Sequence, residues 1–145
     1  MAIDLRETPG GGTPPLVLIE ESDPAVRWAE SELLKRDGYD VVTCAGPDDL
    51  PRGVCPLVRD GHCDLAENAD VIVHNLRQRL LGNRQVLDAL REHVPDTPVI
   101  VEATQPEMRD DPDRFAGTIV VRFPVSSSSL RSAVAGALDA SVNAE

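Results

Sequence analysis

The chain has 145 residues, and about 100 to 150 residues is the commonest size of a single domain. Hydrophobic residues make up 41% of the sequence and charged residues 27%, which excludes a disordered or membrane-embedded chain. The net charge of −11 repels phosphate backbones and only 3% of the residues are aromatic, so the composition argues against nucleic-acid binding. With neither a membrane-spanning apolar run nor an export signal in the sequence, we expect a cytoplasmic protein without membrane contacts.

The first third of the sequence predicts a leader, a strand and a helix. Residues 1–14 are rich in glycine and proline and are predicted to be a flexible leader. The aliphatic run 16–19 predicts a buried strand. Asp23 as N-cap and Pro24 at the first helical position begin a helix that ends near Asp37. The predicted core face of this helix consists of Val26, Ala29, Leu33 and Leu34.

The remaining elements alternate between strands and helices. Strands are predicted at 39–43, 70–74, 98–101 and 118–122, and helices at 85–94 and 126–140. The strands are apolar on both faces, which is typical of a parallel sheet that is covered by helices on both sides. The sequence therefore predicts the α/β class.

The stretch 44–69 interrupts this alternation. Its prolines and glycines permit only fragments of a crossover helix, so it is interpreted as a loop insertion in a domain that spans 15–140. Residues 141–145 are predicted to be a tail. We expect Leu57, within the insertion, to contribute much less to stability than Leu18 or Ile100 in the strands.

Several motifs occur in an order that resembles response-regulator receiver domains, the CheY-like family of two-component signal transduction. The first half of the resemblance consists of 16–27 and 38–43, and the second half of 70–77, 95–101 and Phe123-Pro124. It covers about residues 15–140. The resemblance implies a flavodoxin-like fold, with a doubly wound five-stranded parallel sheet in the order 2-1-3-4-5 and an irregular crossover between the second and third strands.

The same resemblance implies a degenerate phosphorylation pocket. Receiver domains use an aspartate nucleophile after strand three, a hydroxyl after strand four and a lysine after strand five. These positions fall on Asn75, Ala103 and Phe123. A neutral amide is a poor nucleophile and brings no charge to a metal, so the phospho-acceptor is missing.

The acidic metal ligands of the family survive in part. They fall on Glu21 and Ser22, or on Glu20 and Glu21 if the turn is one residue longer. Thr104 lies beside the hydroxyl position, and Arg122 lies beside the lysine position but points to the other face of the strand. The chain thus resembles a pseudo-receiver. A phosphotransfer through a misaligned acid is the weaker alternative, because no aspartate follows strand three.

Three cysteines lie within the insertion. Cys44, Cys55 and Cys63 are ligand types for zinc or an iron–sulfur cluster, with His62 beside the last of them. Their spacing matches no standard metal motif, so a reversible Cys55–Cys63 disulfide and passive, packed thiols remain open. The passive interpretation is preferred, and no cofactor is expected.

Two further side chains suggest roles outside the pocket. Trp28 lies about 200° around the first helix from Val26, away from the core, and exposed tryptophans are enriched in binding contacts. The alternative to a binding contact is that the indole ring of Trp28 folds down over the first helix. His74 precedes Asn75 and is interpreted either as a packed core residue or as a pH-sensitive group.

These observations favour a non-enzymatic signalling module that acts through protein–protein contacts. A second copy of the chain is one candidate partner. The family's usual partner surface falls at about residues 105–140. The competing hypothesis is a metal- or redox-responsive sensor that uses the Cys44–Cys63 loop on a receiver scaffold.

Overall fold

The computed structural model describes residues 12–47 and 55–143. Most of the predicted leader, the middle of the 44–69 insertion and the last two residues of the predicted tail lie outside the described residues. Within this part of the chain, no helix has the length and apolar character that a membrane span requires.

Five strands form one parallel sheet. They are β1 (Leu16–Glu20), β2 (Asp40–Cys44), β3 (Val71–His74), β4 (Val99–Ala103) and β5 (Ile119–Arg122). The order across the sheet is β2-β1-β3-β4-β5, and each neighbouring pair is parallel. This topology confirms the predicted flavodoxin-like architecture.

The described residues contain six α-helices and, between the fifth helix and β5, a 3₁₀ turn. The helices are α1 (Pro24–Arg36), α2 (Pro56–Asp60), α3 (Asp64–Asn68), α4 (Leu81–His93), α5 (Gln105–Asp110) and α6 (Ser127–Asn143), and the turn is Pro112–Phe115. Asp23 caps α1 through hydrogen bonds to the N–H groups of Ala25 and Val26, as the sequence predicts. The last helix continues to Asn143 and so includes part of the predicted tail.

Successive residues of each strand point to opposite faces of the sheet and contribute to two core layers, one on each face. One layer contains Leu18 and Ile72 and is covered by α2, α3 and α4. The other contains Val17, Ile19 and Ile100 and is covered by α1 and α6. A strand that is buried on both faces explains the nearly continuous apolar runs of the sequence.

The described part of the insertion belongs to the core, contrary to the expectation for Leu57. Pro56 starts α2 and Gly61, with a positive φ of 77°, ends it. This single turn packs on α4 and leaves Leu57 only 1% exposed. The prolines and glycines do restrict the crossover to short helices, but these helices still bury apolar side chains.

Helix α1 is rotated relative to the predicted core face. Leu34 is buried as predicted, but Ala29 is exposed, and Glu30 and Ser31 are buried instead. Trp28 is 66% exposed, which confirms that it points away from the core.

Candidate functional site

The carboxyl ends of the central strands bring most of the predicted pocket residues together. Glu20 pairs with His74 in the β1–β3 register, and the N–H of Asn75 donates to the Glu20 carbonyl at 2.8 Å. On the other side of β3, the N–H of Phe123 donates to the carbonyl of Ala103 at 2.9 Å. These residues therefore lie at one edge of the sheet, where ligands of this architecture bind.

Arg77 fills the space between these residues. Its Nη2 donates to Oδ1 of Asn75 and reaches the Glu102 carbonyl at 3.3 Å. The guanidinium lies 4.2 Å from the centre of the Phe123 ring, a cation–π distance, and its Nη1 is 3.5 Å from Oε1 of Glu107. Sequence reasoning missed this arginine, because its spacing from Asn75 gives no signal for such a contact.

This arrangement disfavours nucleophilic chemistry at Asn75. The amide oxygen accepts a hydrogen bond from Arg77, and the residue is only 1% exposed. Position 75 therefore offers neither a carboxylate nor a solvent-exposed side chain.

The hydroxyl next to Ala103 is committed to capping a helix. Thr104 is the N-cap of α5: its Oγ1 accepts from the N–H of Glu107 at 3.3 Å and donates to Oε1 of Glu107 at 3.0 Å. This capping box holds the hydroxyl at the start of α5. Arg122, beside the lysine position, is exposed on β5.

The predicted acidic pair is divided between two faces of the sheet. Oε1 of Glu20 lies 2.6 Å from Nδ1 of the fully buried His74, and Nε2 of His74 lies 2.8 Å from Nε2 of Gln78. The Gln78 amide donates to Nε2, which assigns the ring proton to Nδ1 and makes Nδ1 the donor to Glu20. Glu20 and His74 therefore satisfy each other within the core.

Of the two glutamates in the predicted acidic pair, Glu21 is the one that lies near Arg77. Its Oε1 accepts from the N–H of Asp23 at 3.2 Å, and the residue is 5% exposed. Burial raises the pKa of Glu21, and the Asp23 hydrogen bond and the charge of Arg77 oppose that rise.

Two buried carboxyl groups near Arg77 were missed by sequence reasoning. Glu102 on β4 is 1% exposed and Glu30 on α1 is 6% exposed. Burial, together with the neighbouring Glu102 carboxyl, raises the pKa of Glu30 to about 10, and burial also raises the pKa of Glu102. A signal was present, since Glu102 is the single charged residue in an apolar strand and Glu30 precedes the buried Leu34 by one helical turn.

The three cysteines are free thiols that pack against the core layer under α2, α3 and α4. Burial raises the pKa of both Cys44 and Cys55. Across 12–47 and 55–143, no group of three or more His, Cys, Asp or Glu side chains has an arrangement that could hold a metal ion. His62 points to solvent, with Nδ1 3.2 Å from Oε1 of Glu67.

Trp28 lines a groove of about 560 Å³ between α1 and the segment that joins β5 to α6. The groove also reaches Glu30, Glu102 and Phe123, so it approaches the carboxyl edge of the sheet from the α1 side. Trp28 and the predicted pocket are thus connected by one concave surface.

No protein-family model and no curated protein matches the chain. Solved structures do match. A response regulator receiver domain from Clostridium thermocellum is 16% identical, with a TM-score of 0.69 over 90% of this chain and 99% of that one. The chemotaxis protein CheY4 of Vibrio cholerae is 19% identical, with a TM-score of 0.63 over 86% of this chain and 99% of that one.

A structure named as adenylate cyclase, from Rhodopirellula baltica, is 13% identical with a TM-score of 0.66, over 88% of this chain and 90% of that one. These neighbours carry different names, and at such identities the likeness concerns the backbone. It establishes that the described residues have the flavodoxin-like fold of receiver domains.

Proposed function

We propose that this chain is a non-enzymatic, receiver-like signalling module that acts through protein contacts and does not accept a phosphoryl group. The observation that carries the proposal is the position of Arg77, whose guanidinium lies between Asn75 and the ring of Phe123. A fixed cation, a neutral amide and an aromatic ring stand where phosphotransfer requires an open carboxylate, a metal and a lysine. We also propose that residues 15–140 form this domain and that the protein is cytoplasmic.

Incubation with acetyl phosphate and Mg²⁺ should leave the protein unmodified. Asn75 cannot form the acyl phosphate, and the buried site offers no alternative carboxylate that is open to solvent. Intact-mass spectrometry should detect no added phosphoryl group, and beryllofluoride should not raise the thermal midpoint, since a ligand of the folded state would raise it. Detection of a phosphorylated species would refute the proposal.

Asn75→Asp provides the matched control. The new carboxylate would lie beside Arg77, and Ala103 and Phe123 would still supply neither hydroxyl nor amine. This single variant should remain unmodified by acetyl phosphate and gain at most weak Mg²⁺ affinity. Phosphorylation of the single variant would show that phosphotransfer proceeds despite Arg77 and without a hydroxyl at Ala103 or an amine at Phe123.

Trp28 is the residue that we propose for a protein contact. Because it is 66% exposed, Trp28→Ala should lower the free energy of unfolding by less than about 1 kcal/mol. If a second copy is the partner, the variant should self-associate at least tenfold more weakly in sedimentation equilibrium. If the wild-type protein and Trp28→Ala associated equally strongly, Trp28 would not be part of that contact. A large loss of stability in the variant would show that Trp28 has a packing role.

A thiol-based sensor is the second candidate, supported by the packing of all three cysteines on one core layer. We expect passive thiols: replacement of Cys44, Cys55 or Cys63 by Ser should change the free energy of unfolding by less than about 1 kcal/mol. Each thiol should react with a thiol reagent at its own rate, set by exposure.

Two measurements distinguish the sensor from passive thiols. Stoichiometric zinc or iron in protein purified without chelator, lost in every single Ser variant, would support a metal sensor. A mass decrease of two hydrogen atoms on mild oxidation, retained in Cys44→Ser and lost in Cys63→Ser, would support a Cys55–Cys63 redox pair.

A further inference from the structure

The groove beside Trp28 has apolar walls and a carboxyl floor. The walls come from α1 and from the start of α6 and consist of Ala25, Ala29, Leu33, Val125 and Leu130. Glu30, Glu102 and Phe123 form the inner side. A volume of about 560 Å³ is in the usual range for a small-molecule site, in which apolar walls surround a few polar groups.

The floor carboxyls have unused hydrogen-bonding capacity. Both oxygens of Glu102 and Oε1 of Glu30 are buried without a hydrogen-bond partner among the described residues. Burial raises the pKa of both groups, so the pair is costly to ionise without a cation beside it. Buried carboxylates without a cation or donor are costly and rare in folded proteins.

The neighbouring charges do not neutralise this pair. Arg77 is the nearby cation, but it is already engaged by Asn75 and Glu107, and the carboxyl of Glu21 faces the same region. The rim of the groove carries one charge of each sign, from Glu32 and Arg36 on α1. Among the described residues, the inner side of the groove thus contains two carboxyl groups and no basic side chain that pairs with them.

We propose that this groove binds an organic cation, a guanidinium or ammonium group on an apolar body, with its charged head at Glu30 and Glu102 and its body against Trp28. The carboxylate supplies the electrostatic attraction in a poorly hydrated site. The indole ring adds apolar contact and attracts a cation to its face. The groove shares Phe123 with the predicted pocket and Trp28 with the proposed protein contact, but ligand binding is measured separately from phosphorylation and self-association.

The tryptophan makes the site directly measurable. Trp28 is the single tryptophan of the sequence, so tryptophan fluorescence reports on binding beside this side chain. We would titrate the wild-type protein with phenethylguanidinium and, in parallel, with 2-phenylethanol, which has the same aromatic body without the charge. The guanidinium should give a saturable fluorescence change, and the alcohol should bind at least tenfold more weakly. Equal binding of the two probes, or no change with the guanidinium at millimolar concentration, would overturn the proposal.

Matched variants test the role of the floor carboxyls. Glu102→Gln keeps the shape of the side chain and removes its charge, so affinity for phenethylguanidinium should fall at least tenfold. Glu32→Gln, on the rim of the same groove, should change the affinity less than twofold. Urea denaturation of each variant shows whether it is folded, and Glu102→Leu, which also removes the carboxyl group, replaces Glu102→Gln if that variant is not. Unchanged affinity in a folded floor variant, or an equal loss in Glu32→Gln, would contradict the assignment.

Discussion

Leu57→Ala should lower the free energy of unfolding by about 2 to 5 kcal/mol, as much as Leu18→Ala or Ile100→Ala in the central strands. Leu57 is 1% exposed and belongs to the same core layer as Leu18. Truncation would remove its buried methyl groups and leave a cavity that the surrounding side chains fill only in part. For a domain of this size, such a loss is a large fraction of the total stability.

Urea denaturation monitored by circular dichroism measures this effect, with Val58→Ala as the control. Val58 is the next residue of α2 and is 38% exposed, so its truncation should cost less than about 1 kcal/mol. The same small effect for both variants would mean that α2 contributes little to the core and that the crossover behaves as an ordinary loop.

Glu30→Gln should be more stable than the wild-type protein at pH 8, and this advantage should shrink at pH 5. The pKa of Glu30 is raised to about 10 by burial and by Glu102, whereas in the unfolded chain the carboxyl ionises near its ordinary pKa of 4.5. Between these values the folded state binds more protons than the unfolded state, so the stability of the wild-type protein falls as the pH rises.

The size of the effect follows from the same linkage. Each pH unit in this window changes the contribution of Glu30 by at most about 1.4 kcal/mol, so the two pH values should differ by up to about 4 kcal/mol. Urea denaturation of wild-type, Glu30→Gln and the partly exposed Glu32→Gln at both pH values measures it. Parallel pH profiles for wild-type and Glu30→Gln would show that Glu30 is ionised in the folded protein.

The fold follows from local patterns that the sequence displays clearly. Buried strands appear as short aliphatic runs, and Asp23, Pro24 and Gly38 mark the ends of α1 where the structure has them. Helix α5 was not predicted, because its six residues include no buried side chain and hence no apolar periodicity. Leu57 was misjudged for a related reason: a five-residue helix is too short to show which side faces the core.

The candidate site was predictable only where it depends on position along a strand. Asn75, Ala103 and Phe123 end neighbouring strands, so their shared edge follows from the topology. The sequence marks Glu30 and Glu102 individually, but their pairing and the contacts of Arg77 with Glu107 and Phe123 join side chains of separate elements, which no spacing encodes.

Arg77 also affects how the carboxyl edge can move. Its guanidinium connects Asn75 after β3, the backbone of Glu102 on β4, the ring of Phe123 after β5 and the carboxylate of Glu107 on α5. Because all four segments contact the same guanidinium, a movement that displaces Arg77 breaks its contacts with every one of them. The segments are therefore not expected to open independently. Amide hydrogens in these segments should therefore exchange through one shared opening, and the edge behaves as a single cooperative unit of local unfolding.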